Sequence, residues 1–190
     1  MTTWFYADSH FFHASPDKPD GIIRMCRRPF QSGREMNSVL ASSWRVVKKD
    51  DEVIVLGDFA HRADPAELRK LFDSLPGRKH LIVGNHDGKD TLALPWASIK
   101  DLAFVSVDGE RLVLCHYALR SWPGILRGAL QLHGHHHGRL PGNNRSCDVG
   151  VDVMGWAPVR LGQIKAHLAT LPALVDPEGG DELDVDGAQP

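Results

Sequence analysis

The 190-residue chain is predicted to fold as an α/β protein. Three observations lead there. The aliphatic run Val53-Ile54-Val55-Leu56 is too short for a helix and suits a strand covered on both faces. Segments of helical period flank it in the chain. Separate apolar runs end on residues of one chemical kind: Asp8, Asp58 and Asn85. At 42% hydrophobic and 24% charged residues, the composition is that of one globular domain with a sizeable core.

Trp4-Phe5-Tyr6-Ala7 reads as the first strand and runs into Asp8-Ser9-His10. After a polar loop, Ser32 and Glu35 stand at capping-box spacing, and Met36, Val39, Leu40, Ser43 and Val47 recur at helical intervals. The central strand then starts at Glu52 and ends on Gly57-Asp58. Asp64-Pro65 opens a second helix with Leu68, Leu71, Phe72 and Leu75 on one face, and Pro76-Gly77 stops it. His80-Leu81-Ile82-Val83 is a third strand, leading into Gly84-Asn85-His86-Asp87.

Beyond it the alternation breaks. Asp108-Gly109 between residues 103–107 and 110–115 predicts an antiparallel hairpin whose second strand ends on His116. Residues 129–133 give another strand before Gly134-His135-His136-His137-Gly138. Residues 147–153 are expected as a strand and 161–171 as a final helix. The domain is therefore expected over 1–171, with 172–190 as an acidic, disordered tail.

Composition narrows the function. The tail carries six acidic residues and no Lys or Arg, which leaves 18 acidic against 22 basic side chains in the body, net about +4. That tolerates an anionic substrate but lacks the basic stripe of a dedicated duplex binder. The apolar runs are too short to span a membrane, and Met1-Thr2-Thr3-Trp4 has no secretory character, so a cytoplasmic location is expected with no membrane partner. Cys26, Cys115 and Cys147 form no close-spaced pair, against a disulfide framework or a thiolate zinc site. Eleven histidines are the conspicuous excess.

Taken singly, each polar strand end has an ordinary reading as a turn, a cap or a core histidine. Together, Asp8 and His10, Asp58, Asn85 and His86, His116, and His135 with His137 supply carboxylate, amide and imidazole donors from five strands, a set able to hold two divalent ions side by side. Asp58 has two oxygens and is the natural bridge between them.

In order and spacing, Asp8-Ser9-His10, Gly57-Asp58, Gly84-Asn85-His86-Asp87, His116 and Gly134-His135-His136-His137 resemble the motifs of the calcineurin-like metallophosphoesterases. That resemblance implies a β-sandwich of two mixed sheets flanked by helices, in four αββα layers. It implies one ion held by Asp8, His10, Asp58 and His137, and another by Asp58, Asn85, His116 and His135. It also implies a metal-dependent hydrolase of phosphate esters, using a metal-bridging hydroxide, with His86 as general acid. Manganese suits the mixed oxygen and imidazole donors best, with iron, nickel and zinc as alternatives.

Phosphodiesters rank ahead of monoesters as the expected substrate, since no inserted cap covers the metals. His61, three residues after Asp58, resembles the Gly-Asp-Leu-Phe-His element of the family's repair nucleases, which keeps nucleotides and single-stranded or nicked nucleic acid open as substrates. A binding scaffold without turnover is the reading from another class, and the full ligand set argues against it. His13 could lean over the substrate or flank the loop. Arg24, Arg27 and Arg28 could form a phosphate-binding patch or a solvated helix end.

Overall fold

The computed structural model describes residues 1–14 and 21–175. One sheet has the order β4-β3-β2-β1-β9. In it β1 (Thr3–Tyr6), β2 (Glu52–Val55), β3 (Arg78–Ile82) and β4 (Ser98–Lys100) run parallel, and β9 (Val159–Arg160) pairs antiparallel with β1. The other sheet is β5-β6-β7-β8: β5 (Leu102–Val107) and β6 (Glu110–Cys115) form the expected hairpin, and β7 (Leu130–His133) and β8 (Ser146–Asp148) continue parallel to β6. Both sheets are mixed, as the resemblance implied.

Strand alternation sorts the first sheet's side chains into two cores. Phe5, Ala7 and Leu56 face the second sheet and meet Ala103, Leu112, Leu114, Leu130, Leu132 and Cys147. Tyr6, Val53, Val55 and Leu81 face the other way, onto α2 (Gly33–Ser43) through Met36 and Leu40 and onto α3 (Pro65–Ser74) through Leu68 and Phe72. The start signals act as read. Ser32 accepts a hydrogen bond from the Glu35 amide at 3.1 Å, and Asp64 Oδ1 accepts from the amides of Ala66 and Glu67, both at 3.0 Å. The outer face of the second sheet is covered thinly, by Trp122, Ile125 and Ala129 on Val113.

Several elements differ from the sequence reading. The strand expected over 147–153 stops at Asp148, because its Oδ1 accepts the amide of Gly150 at 2.7 Å and the chain turns into the short helix α5 (Val151–Met154). The last helix, α6 (Leu161–Leu168), ends three residues early in tight turns. The edge strands β4 and β9, three and two residues long, are too short to show a period. A helix, α1 (Gly21–Cys26), follows the polar loop, and α4 (Lys89–Leu92) follows the Asn85 motif.

The described path also continues past residue 171. The Pro172 carbonyl accepts the Asn144 amide at 2.8 Å, the Leu174 amide donates to Asn144 Oδ1 at 3.0 Å, and Leu174 packs on the Val113 cluster. The rest of the expected tail, 176–190, lies outside the described residues.

Candidate metal centre

The polar residues at the strand ends converge where the carboxyl ends of both sheets meet. Asp8 and His10 follow β1, Asp58 follows β2, and Asn85 and His86 follow β3; His116 follows β6, and His135 and His137 follow β7. The turns that present them are tight. Among the described residues nine non-glycine positions have positive φ, and five of them are Asp8, His10, Asp58, His135 and His137. Such backbone costs energy, and its concentration on one set of side chains marks a functional site.

Two groups of donors form there. Asp8, His10 and His137 offer ligand atoms within 4.8 Å of one another, and so do Asp58, His116 and His135. Asn85 joins the second group, with Oδ1 2.9 Å from His135 Nδ1 and 3.2 Å from His116 Nε2. Asp58 stands between the groups: its Oδ2 is 3.5 Å from His10 Nε2 and 3.5 Å from His116 Nε2. Donors bound to one ion at about 2.1 Å lie roughly 3.0–3.5 Å apart, so this spacing suits ions on both sides of Asp58.

The electrostatics of the donors suit a cation. His10 is fully buried, and among the described residues neither ring nitrogen has a hydrogen-bond partner. Burial holds its pKa well below the ordinary histidine value, so its ring is neutral. Burial, reinforced by Asp148, pushes Asp8 up to about 7. Burial opposes charge on Asp58 too, but the His116 hydrogen bond and charge outweigh it and hold the carboxyl below its usual value. The residues therefore fit a pair of divalent ions: buried carboxylates, four imidazoles and one amide, all directed at two points.

Close backbone approach makes this possible. Gly57 has φ +88°, and a Cβ there would lie 2.3 Å from His116 Nδ1; a Cβ on Gly84 would lie 2.3 Å from Asp58 Oδ1. The glycines before both ligands admit no side chain.

A surrounding layer fixes the ligands, and the sequence reading gave these residues no such role. His116 Nδ1 donates to the Leu56 carbonyl at 2.8 Å, which leaves Nε2 free as a ligand atom. His137 Nδ1 is held by Asp152 Oδ2 at 2.7 Å. Arg28, buried at 4% exposure, is no surface patch: it grips both Asp152 oxygens at 2.9 and 2.7 Å and donates to the carbonyls of Asp8 and Ser9. Asp87 accepts the amides of Asp58, Phe59 and Gly84, each at 2.9 Å, tying two ligand loops together. Cys26 also approaches His137 and Asp152, but Arg28 already supplies the positive charge at that point.

Three imidazoles border the centre. His86 Nδ1 lies 3.2 Å from His61 Nδ1, and His13 stacks edge-on against His61 with ring centroids 4.3 Å apart. Burial, followed by the charges of His61 and His86, pushes His13 down to about 4, so it is neutral at pH 7. Arg27 is exposed in a left-handed turn after α1. His136 is half-buried against His133 and His135.

The chain shares 29% identity over 167 residues with an uncharacterized protein of Methanocaldococcus jannaschii, covering 83% of this chain and 86% of that one. A gene 66 protein of mycobacteriophage L5 is 36% identical over 89 residues, 45% of this chain and 40% of the phage protein. A protein of unknown function from Aquifex aeolicus has the same fold, with a TM-score of 0.64 at 24% identity over 87% of this chain and 98% of that one. The family model for calcineurin-like phosphoesterases matches residues 1–178, a span that contains every one of these candidate donors, and the chain belongs to that family.

Proposed function

We propose that the protein is a phosphodiesterase dependent on two divalent metal ions, manganese first among them. One observation carries the reading: a single carboxylate oxygen, Asp58 Oδ2, stands at the same 3.5 Å from a histidine of each donor group. One ion would be held by Asp8, His10, Asp58 and His137, the other by Asp58, Asn85, His116 and His135. Bound there, the pair supplies an activated water and a positive clamp for phosphoryl oxygens.

The chain's own residues do the rest. Asn85 is a neutral ligand and keeps the site positive enough to attract a phosphate. His86 belongs to neither donor group and stands beside both, with its amide anchored on Asp58 Oδ1 at 2.8 Å. It can hand a proton to the departing oxygen as general acid. His61, in contact with the same ring, orients that proton. His13, being neutral, can only accept a hydrogen bond or donate one from its uncharged ring. Nucleotides and single-stranded nucleic acid fall within this substrate class, and the His61 contact favours keeping them in the test.

Metal-stripped protein is given Mn²⁺, Ni²⁺, Fe²⁺, Zn²⁺ or Mg²⁺ in turn and assayed on matched mono- and diesters. Diester hydrolysis, greatest with Mn²⁺, is expected. Faster turnover of monoesters would reverse the diester assignment, and no turnover with any ion would overturn the hydrolase.

A further inference from the structure

A cavity of 270 Å³ opens beside the metal centre. Asn85 and His86 form the wall it shares with that centre, and His61, Arg62, Lys89 and Thr91 line the remainder over a floor that includes Leu68. Its volume is close to the lower end of the range for pockets that hold a small ligand, roughly 300 Å³. Whatever fills it lies against His86, the proposed general acid.

Its charge is unbalanced. Arg62 and Lys89 are both exposed at the cavity, and neither enters an ion pair among the described residues. Among the described residues, Asp90 is the single carboxylate in the lining. Two fixed cations against one anion leave a net positive wall even with His61 and His86 neutral. A purely apolar leaving group would gain nothing from that wall, whereas a second anion on the leaving group would be held there.

Resting on the hydrolase reading, we infer that this cavity is the leaving-group subsite and that it takes leaving groups with an anionic substituent of their own, as a nucleotide has. In the reaction it serves, the oxygen of one water joins phosphorus and the P–O bond to the leaving group breaks. The bond's electron pair stays on the leaving oxygen, which takes a proton from His86. A proton from the attacking water restores His86. Arg62 and Lys89 hold the departing piece by its second charge and take no part in the proton transfer.

The test compares two methyl aryl phosphate diesters that share the transferred group, one releasing 4-hydroxybenzoate and the other 4-hydroxybenzamide, on manganese-loaded wild type and on the double variant Arg62→Gln/Lys89→Gln. The readout is the ratio of kcat/KM for the two, so a general loss of activity in the variant cancels. Wild type is expected to favour the carboxylate relative to the variant by about five- to tenfold, as two exposed charge contacts allow, and this margin is expected to shrink in about 0.5 M KCl. Binding of the free phenols, followed by NMR, gives a second readout without turnover: 4-hydroxybenzoate binds wild type several-fold more tightly than 4-hydroxybenzamide, and the variant loses the difference. Equal ratios in wild type and variant, with both diesters hydrolysed, would overturn the subsite and leave the hydrolase standing. If neither diester is hydrolysed with any ion, the hydrolase reading fails and the leaving-group role falls with it, even where the phenols still bind selectively.

Discussion

Asp152 Oδ2 lies 2.7 Å from His137 Nδ1 and 2.7 Å from a terminal nitrogen of Arg28. One oxygen thus links a candidate ligand to a buried guanidinium that also holds the backbone of Asp8 and Ser9. Such outer partners fix the tautomer and direction of a ligating imidazole, and their loss costs roughly 10- to 100-fold in metal affinity. Asp152→Asn is expected to weaken one of the two ions by that factor and leave the other unchanged, as measured by competition with a chelator. Arg28→Met is expected to act on the fold instead, by about 3–5 kcal/mol, because it strands the Asp152 carboxylate in a buried position.

Asp58→Asn should be more damaging than the loss of any terminal ligand such as His137. Its Oδ2 stands between both donor groups while Oδ1 accepts the His86 amide, so the substitution weakens both ions and the spacing between them. Metal content after desalting should drop below one equivalent, against close to two for wild type and one for a terminal-ligand variant. Activity within about tenfold of wild type at saturating metal would contradict a bridging role.

In the metal-free protein Asp8, Asp87 and His137 should each contribute less stability as pH rises, while His10, His13, His133 and His135, lowered by burial, act the opposite way up to about 6.5. Asp8, raised to about 7 by burial and Asp148, retains in the folded state a proton that the unfolded chain releases near its ordinary 3.8. Folding therefore loses stability as pH climbs through that window. Asp87, raised to about 6 by burial, acts in the same direction. His137 does too: burial opposes its charge, but the Asp152 and Cys26 hydrogen bonds prevail and raise it to about 10, so its contribution is full below 6.5 and is lost as pH approaches 10. A bound divalent ion favours the ionised Asp8. The gain in Tm on adding Mn²⁺ should accordingly grow between about pH 5 and about pH 8, and metal loading near pH 6 should release protons.

The residues that converge at the candidate centre were legible because metal chemistry restricts residue type and the β-strand restricts position: Asp8, Asp58, Asn85 and His116 each stand just past an apolar run. The fold was legible wherever period or capping is strong, as in α2, α3 and the Asp108-Gly109 hairpin. Arg28 and Asp152 were hidden for a reason of geometry. They are 124 positions apart, and nothing local distinguishes an arginine that turns inward from its exposed neighbour Arg27. Asp87 was visible in its motif, but its three backbone contacts depend on how two loops cross. The edge strands β4 and β9 exist only through pairing with a neighbour.

Two truncations should differ. A chain ending at Val175 keeps Leu174 on the Val113 and Trp122 cluster and keeps both hydrogen bonds to Asn144. A chain ending at Leu171 loses all three contacts. It should melt several degrees lower, since about 1–2 kcal/mol of burial and hydrogen bonding is removed from a domain of this size. Equal melting of the two would show that residues 172–175 add nothing to the body.

His86 is the proposed general acid. Its ring touches His61, with Nδ1 of one 3.2 Å from Nδ1 of the other, so one of these nitrogens must donate while the other accepts. A proton held on the pair serves the leaving oxygen only in proportion to that oxygen's need for it. General-acid catalysis is worth roughly 10²- to 10⁴-fold for a poor leaving group and little for an activated phenolate. His86→Asn is therefore expected to cost much more on an alkyl or nucleoside ester than on a nitrophenyl ester, with both metal ions retained. His61→Asn should show the same pattern in weaker form, because it orients the proton without delivering it. Equal losses on the two esters, with two equivalents of metal still bound, would instead make His86 a residue that positions the phosphate. His61 would then be the next candidate for the acid, to be tested on the same pair of esters. His13, already neutral at pH 7, would not.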